Sequence, residues 1–425
     1  MQTVSIPRFG DARDWCFTHP FGLFVHWGLY ALDGWHEQAQ WRQRIARADY
    51  GRLAARWNPQ QWDVEQWLDL AQQAGMSYAV LTTKHHDGFC LFHSAHTDFH
   101  VGNTPYQRDI VAQWCDALRR RGMRVGLYYS VVDWHHPAYP NCGRHHELDG
   151  PQPGDRQDPA AYLEYLRAQV RELCTNYGRI DCLWWDLNVA ELDDPSVHDM
   201  VKQLQPSCIL NGRGPGPADF STPERHYEAH AERAFTTPTE ACQSVGAQSW
   251  GYRRDESYFT ARHLMNHIAA THAMGGRYLL NIGPDGEGQV PERAVDLLRR
   301  IGSWRECVAE AWAGEPVVGL CEDPSIYCTR QGDAWYLHVP ADLSSDELIC
   351  KPITNAPIEA VLLNTGQAVA WATDMLPAHH DGQRGYLRLR GLPAETADEP
   401  LVIRLRFADG PELDQQAGGD ERLAW

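Results

Sequence analysis

The chain has 425 residues, 43% hydrophobic and 22% charged, enough for a large core and more than one domain. Its formal charge of -18 excludes a surface built for nucleic acid or for anionic lipid. No run of about 18 apolar residues would cross a membrane, and the first residues, M-Q-T-V-S-I-P-R-F-G-D, lack the basic and apolar regions of a signal peptide. The 12 cysteines include no C-x-x-C pair, and Cys90, Cys182 and Cys208 sit in apolar runs. They read as reduced thiols of a cytoplasmic protein.

In chain order, F-G-L-F-V-H-W-G (21–28) supplies a first strand. A unit then recurs: an amphipathic stripe, a stop, an apolar strand. Val64, Trp67, Leu68 and Ala71 precede Gly75 and Y-A-V-L-T-T-K-H-H. Val111, Trp114, Cys115 and Leu118 precede Gly122 and R-V-G-L-Y-Y-S. Leu166, Val170, Leu173 and Cys174 precede Gly178 and C-L-W-W-D. Val197, Met200, Val201 and Leu204 precede Pro206 and C-I-L-N-G-R. Stripe, stop and strand are separate signals that agree, and their alternation predicts parallel βα units. R-Y-L-L-N-I-G-P (277–284) adds a late strand, followed by a helix on Ala294, Leu297, Leu298 and Ile301. A TIM-barrel-like (β/α) catalytic domain over 1–315 fits this better than an open doubly wound sheet, which would need a G-x-G-x-x-G loop. The seventh and eighth strands are weak, because 214–270 is irregular. From about 316 the period changes to two in W-Y-L-H-V, Y-L-R-L-R and L-V-I-R-L-R-F, with a turn at Asn364-Thr365-Gly366. That predicts an antiparallel β-sandwich over 316–410, a structural partner rather than a sugar-binding module. A frayed polar tail is expected over 411–425.

Barrel sites lie at the C-terminal ends of the strands. Here those ends carry His26-Trp27-Gly28, Lys84-His85-His86-Asp87, Asp133-Trp134-His135, Trp184-Trp185-Asp186 and Asn211-Gly212-Arg213. A metal-dependent hydrolase is one reading, but His-His pairs suit one ion poorly, since neighbours on a strand face opposite ways. Glycoside hydrolysis needs two carboxylates: an ionised, rigid nucleophile at a strand end and an acid/base on a loop. Tryptophan faces would pack on the sugar, and His and Arg would hold its hydroxyls. A non-catalytic carbohydrate-binding protein would keep the aromatic pocket and lose a carboxylate.

The chain resembles glycoside hydrolase family 29, the retaining α-L-fucosidases. The stretches that carry the resemblance are F-G-L-F-V-H-W-G (21–28), A-G-M-S-Y-A-V-L-T-T-K-H-H-D-G-F (74–89), G-L-Y-Y-S-V-V-D-W-H-H-P (126–137), L-W-W-D (183–186), N-G-R (211–213), S-W-G-Y (249–252) and Y-L-L-N-I-G-P-D-G-E-G (278–288). The resemblance implies a (β/α) barrel followed by a β-sandwich, and hydrolysis of terminal α-L-fucosyl residues by double displacement without metal or cofactor. It implies Asp186 as nucleophile and Glu224, within A-D-F-S-T-P-E-R-H-Y, as acid/base, with Glu228, Glu240 and Asp219 in reserve. It also implies a substrate pocket of His26, Trp41, His85, His86, Tyr128, Trp184, Arg213 and Trp250. The implied partner is a fucosylated carbohydrate, with no nucleic acid and no membrane; self-association into a homo-oligomer stays open.

One departure stands out. Where many members read Glu-Trp after the first strand, this chain reads W-H-E-Q-A-Q-W, so Trp41 fits the aromatic and Gln40 replaces the acid. An amide still accepts a hydrogen bond but has lost the charge. The loop 135–155 is expected to wall the leaving-group side. His93, His96, His145 and His146 read as structural or surface residues, and Asp87 as a group that orients its two histidine neighbours.

Overall fold

The computed structural model describes residues 2–224, 234–321, 323–374, 385–394 and 396–412. A short strand β1 (Gln2–Thr3) is followed by seven parallel strands: β2 (Phe21–Val25), β3 (Tyr78–Lys84), β4 (Arg124–Ser130), β5 (Cys182–Asp186), β6 (Ile209–Leu210), β7 (Glu240–Ser244) and β8 (Arg277–Ile282). Their order is β6-β5-β4-β3-β2-β8-β7, a curled sheet with the helices outside. Each strand foreseen from the stripe-and-stop pattern is present. β7 was not foreseen: its sequence E-A-C-Q-S has almost no apolar signature, yet all five residues are buried.

The seam between β6 and β7 is filled by residues 219–223. Asp219 N donates to Leu210 O at 2.7 Å and Gly212 N to Phe220 O at 3.1 Å on one side. Ser221 N donates to Pro238 O at 3.0 Å and Cys242 N to Pro223 O at 3.1 Å on the other. This irregular piece does the work of an eighth strand and delivers Glu224 to the rim.

The predicted helices form at Val64–Gln73, Ile110–Arg120, Pro159–Asn176, Pro195–Leu204 and Glu292–Cys307, with a further one at Ala261–Ala273. The first four each start on an aspartate, Asp63, Asp109, Asp158 and Asp194, whose carboxylate accepts from a backbone N–H of the first turn. Gly75, Gly122 and Gly178 follow the first three helices with φ of 79°, 68° and 70°, a left-handed backbone that suits glycine.

The C-terminal strands are β9 (Glu315–Val318), β10 (Tyr327–Gln331), β11 (Ala334–Val339), β12 (Glu347–Pro352), β13 (Glu359–Leu362), β14 (Gln367–Ala368), β15 (Ala370–Asp374), β16 (Tyr386–Arg390) and β17 (Leu401–Arg406). They form antiparallel sheets ordered β1-β9-β10-β11-β17-β13-β14 and β12-β16-β15 around their own apolar core. The N-terminal strand thus joins the C-terminal sheet. The two regions also meet where Trp304 Nε1 donates to Pro400 O at 3.0 Å and Ala341 N to Asn266 Oδ1 at 3.0 Å.

Candidate active site

Strand alternation builds the site. In β5, Cys182 and Trp184 join the interior cluster of Phe24, Tyr78, Val80, Tyr128 and Leu279, while Leu183 and Trp185 join the core against the helices. The next inward position is Asp186. The same period turns Tyr128 inward from β4 and leads from Phe24 in β2 to His26. β6 is too short to hold the end of β5 with its backbone. The Asn211 side chain does so instead: Oδ1 accepts from Trp185 N at 2.8 Å and Nδ2 donates to Trp185 O at 2.9 Å. The residue before the candidate nucleophile is thereby pinned on both sides.

Asp186 is 13% exposed at its side chain. Tyr128 OH donates to Oδ2 at 2.8 Å and Arg213 Nη1 to Oδ1 at 3.3 Å. Burial pushes Asp186 up, but Arg213, His86 and the Tyr128 hydroxyl outweigh it and hold the carboxyl below its usual range. The same Arg213 Nη1 donates to Glu224 Oε2 at 2.9 Å. Arg213 is itself fixed by Thr222, Nε donating to Oγ1 at 2.9 Å and Nη2 to the carbonyl at 3.0 Å, and lies over the Trp184 ring at 4.9 Å. The nearest oxygens of the two carboxylates are therefore no farther apart than those two Nη1 contacts laid end to end.

His85 and His86 both line the same cavity, although strand alternation predicts opposite faces. The reason is that β3 stops at Lys84 after a register shift, so both residues lie in the turn beyond, with ring centroids 4.0 Å apart. His85 stacks on Tyr128 at 5.7 Å. His26 Nδ1 donates to Asn281 Oδ1 at 2.7 Å, because Asn281 Nδ2 is committed to Trp250 O at 2.7 Å. Trp250 tilts over His26 at 5.2 Å and closes that side.

Burial drives His86 down to about 3 and His146 to about 4, and His272 and His338, where barrel meets sandwich, to about 3 and about 4. Unfolded imidazoles take up protons below about 6.5 and these do not, so stability falls as pH drops through that window. Asp87, pushed up to about 6 by burial, opposes this with a single proton. Tm is expected to decline steadily from pH 6.5 to 4 in a thermal melt series. A flat profile would show that these histidines charge within the fold.

The cavity holds about 460 Å³ including its open mouth. It brings together His26, His85, His86, Tyr128, Trp184, Asp186, Arg213, Glu224 and Trp250. Trp41 is not in its wall: it sits behind, 5.1 Å from the His146 ring. Nor is the acid of that stretch missing. Gln40 is turned into the interior, 1% exposed, with Oε1 unbonded, and the carboxylate at the cavity is Glu37 three residues earlier. Glu37 Oε2 accepts from Ser249 Oγ at 2.6 Å, Trp250 N at 2.9 Å and Gly251 N at 3.2 Å. Burial raises its pKa, but His36, the Ser249 hydroxyl and His26 bring it below the usual range.

Two reserve acids are used elsewhere. Glu240 is wholly buried beneath the site, accepting from Trp184 Nε1 at 3.0 Å and Tyr78 OH at 2.7 Å beside Arg277. Asp219 is paired with Arg13 at 2.7 Å and Lys202 at 2.5 Å. Glu228 lies outside the described residues. Asp87 does not orient its histidine neighbours; it accepts from Tyr50 OH at 2.8 Å and Phe89 N at 3.1 Å. His146 and Gln38 line the cavity and had no signal in the sequence beyond their place in polar loops.

Among the described residues, no cluster of three His, Cys, Asp or Glu side chains could hold a metal, and no helix is long and apolar enough to cross a membrane. A larger cavity, about 820 Å³, lies between the N-terminal segment and Trp312–Pro316, but Glu315 is its one carboxylate.

The family model described as alpha-L-fucosidase matches residues 9–310. Tissue alpha-L-fucosidase of Homo sapiens is 28% identical over 399 residues, 85% of this chain and 82% of that protein. Alpha-L-fucosidase isoenzyme 1 from Paenibacillus thiaminolyticus superposes with a TM-score of 0.80 at 33% identity, covering 93% of this chain and 99% of its own. A Bacteroides thetaiotaomicron GH29 alpha-L-fucosidase, trapped as a covalent intermediate with 2-fluoro-fucosyl fluoride, superposes with a TM-score of 0.79 at 25% identity, covering 95% and 98%. Curled parallel barrel, antiparallel C-terminal sheets and family match agree: the chain belongs to the α-L-fucosidase family, glycoside hydrolase family 29.

Proposed function

We propose that this protein hydrolyses terminal α-L-fucosyl residues of glycoconjugates or oligosaccharides with retention of configuration, Asp186 serving as nucleophile and Glu224 as acid/base. The observation that carries this is Arg213 Nη1 touching both carboxylates, at 3.3 and 2.9 Å. Carboxylates so close match the gap of a retaining pair, about 5–5.5 Å, better than the roughly 6.5–9.5 Å that leaves room for water in an inverting one.

In the first step an Asp186 oxygen attacks the anomeric carbon. The bond to the leaving oxygen breaks, and Glu224 gives that oxygen a proton. A sugar ester of Asp186 results. Glu224, now ionised, takes a proton from water, which attacks the same carbon and frees the carboxylate. Asp186 suits the first role because it is ionised and rigid. Glu224 suits the second because it ends an irregular segment and is 38% exposed, free to change protonation state. A contact with a guanidinium belongs to the ionised carboxylate, so Glu224 leaves Arg213 when it protonates and moves over the glycosidic oxygen. His26, His85, His86 and Glu37 then face the sugar's polar edge, and Trp184 and Trp250 its apolar faces.

The test is release of nitrophenol from the nitrophenyl α-L-fucoside, with the first-formed sugar followed by NMR. The expected product is the α-anomer. Initial β-fucose would overturn retention, and no turnover on this substrate would overturn the activity.

A further inference from the structure

We propose that His146 and His86 form a donor–acceptor clamp for one ring hydroxyl of the bound sugar, His146 Nε2–H donating and His86 Nε2 accepting. The inference rests on reading the cavity as a sugar site.

The tautomers follow from the bonding behind each ring. Ser130 has one hydroxyl proton, and it goes to Val132 O at 2.7 Å, since a carbonyl can only accept. Ser130 Oγ therefore accepts from His86 Nδ1 at 2.7 Å. The neutral His86 ring then carries its proton on Nδ1 and offers a lone pair at Nε2, 3.8 Å from Asp186 Oδ2. Two acceptors side by side call for a donor between them.

His146 is set the opposite way. A guanidinium can only donate, so Arg42 Nε, 2.9 Å from Gln38 Oε1, fixes which end of that amide is oxygen. Gln38 Nε2 then donates to His146 Nδ1 at 3.0 Å. The His146 proton must sit on Nε2, which bonds no described residue while the ring lines the cavity. The two rings lie 6.0 Å apart between centroids. A sugar hydroxyl, one proton and two lone pairs, satisfies both.

The backbone is arranged to hold His146 there. Its φ is 65°, uncommon for a residue other than glycine. Trp134 Nε1 donates to its carbonyl at 2.8 Å. The next residue, Glu147, has a fully buried side chain that accepts from Cys142 N at 3.0 Å, Arg144 N at 3.0 Å, Arg144 Nε at 2.8 Å and Tyr139 OH at 2.7 Å. Trp41 backs the ring. The titratable and charged groups around it are His86, His145, Asp186, Glu37 and Arg42.

The test compares wild type, His146→Gly and Gln38→Glu on the nitrophenyl α-L-fucoside and its 2-, 3- and 4-deoxy analogues. Glycine accepts the left-handed backbone while removing the ring. A glutamate at 38 can only accept, so the proton of His146 must turn to Nδ1. In both variants kcat/KM is expected to fall about tenfold, the worth of one neutral hydrogen bond plus its stranded partner. One deoxy analogue should lose its penalty in both. In Gln38→Glu the deficit in kcat/KM should also shrink as pH falls, because the new carboxylate favours the imidazolium, which again carries a proton on Nε2. Unchanged kcat/KM in folded variants, or all three deoxy penalties retained, would overturn the clamp. No turnover of the parent fucoside by wild type would instead overturn the sugar-site reading, and the clamp with it.

Discussion

Asp186→Ala is expected to lower kcat on an aryl α-L-fucoside by about 10,000-fold or more, because it removes the group that makes the covalent bond. Nothing near it can substitute. Glu224 is held by the same Arg213 Nη1, and Glu37 has Oε2 committed to Ser249, Trp250 and Gly251. The variant leaves Tyr128 OH and Arg213 with one acceptor fewer, so its Tm is measured alongside to separate lost chemistry from lost fold. Added azide gives a second readout. It enters the space of the missing carboxylate and attacks the anomeric carbon directly as the aryl oxygen leaves, yielding the inverted fucosyl azide. Undiminished turnover in Asp186→Ala would end the assignment of this residue.

Glu224→Ala should behave differently. Its loss in kcat is expected to be about 100- to 10,000-fold, the usual worth of general acid–base catalysis. The loss should be smaller for a dinitrophenyl leaving group, which departs without a proton. The ester on Asp186 then accumulates, since no base draws the proton from water. Azide needs no base: it attacks the anomeric carbon, the Asp186 carboxylate leaves, and the azide product keeps the substrate's configuration. Opposite configurations from the two variants would separate nucleophile from acid/base. A Glu224→Ala variant with wild-type turnover, or one that azide leaves unrescued, would move the acid/base role off this residue.

Much of this was legible in the chain itself. The stripe, stop and strand of residues 64–84, for instance, are local, and helix and strand periods write them directly into sequence. Strand-end residues followed from the same period, and with them Asp186, Tyr128 and His26. β7 was not legible, because its inward residues Glu240 and Ser244 are polar and bonded inside the barrel, which removes the alternation that marks a strand. The W-H-E-Q-A-Q-W stretch misled for a related reason. Short helical turns at Tyr30–Asp33 and Ala39–Arg42 set which residue faces the cavity, so Glu37 arrives there and Gln40 does not.

By itself, then, the sequence determined the repeating βα units, the two-period strands beyond 316, and the candidate nucleophile at the end of an apolar strand. Only the tertiary structure decided which acids face one another and which imidazole nitrogen carries a proton. Glu240 and Asp219 stood in reserve to Glu224 until Trp184 and Tyr78 claimed one, and Arg13 and Lys202 the other. His146 was an ordinary loop histidine until Glu147, Trp134 and Gln38 fixed its backbone and its ring. The physical reason is range. Backbone periodicity acts over a few residues, whereas the bonds that select a site's acids and tautomers join residues far apart in the chain, such as Gln38 to His146.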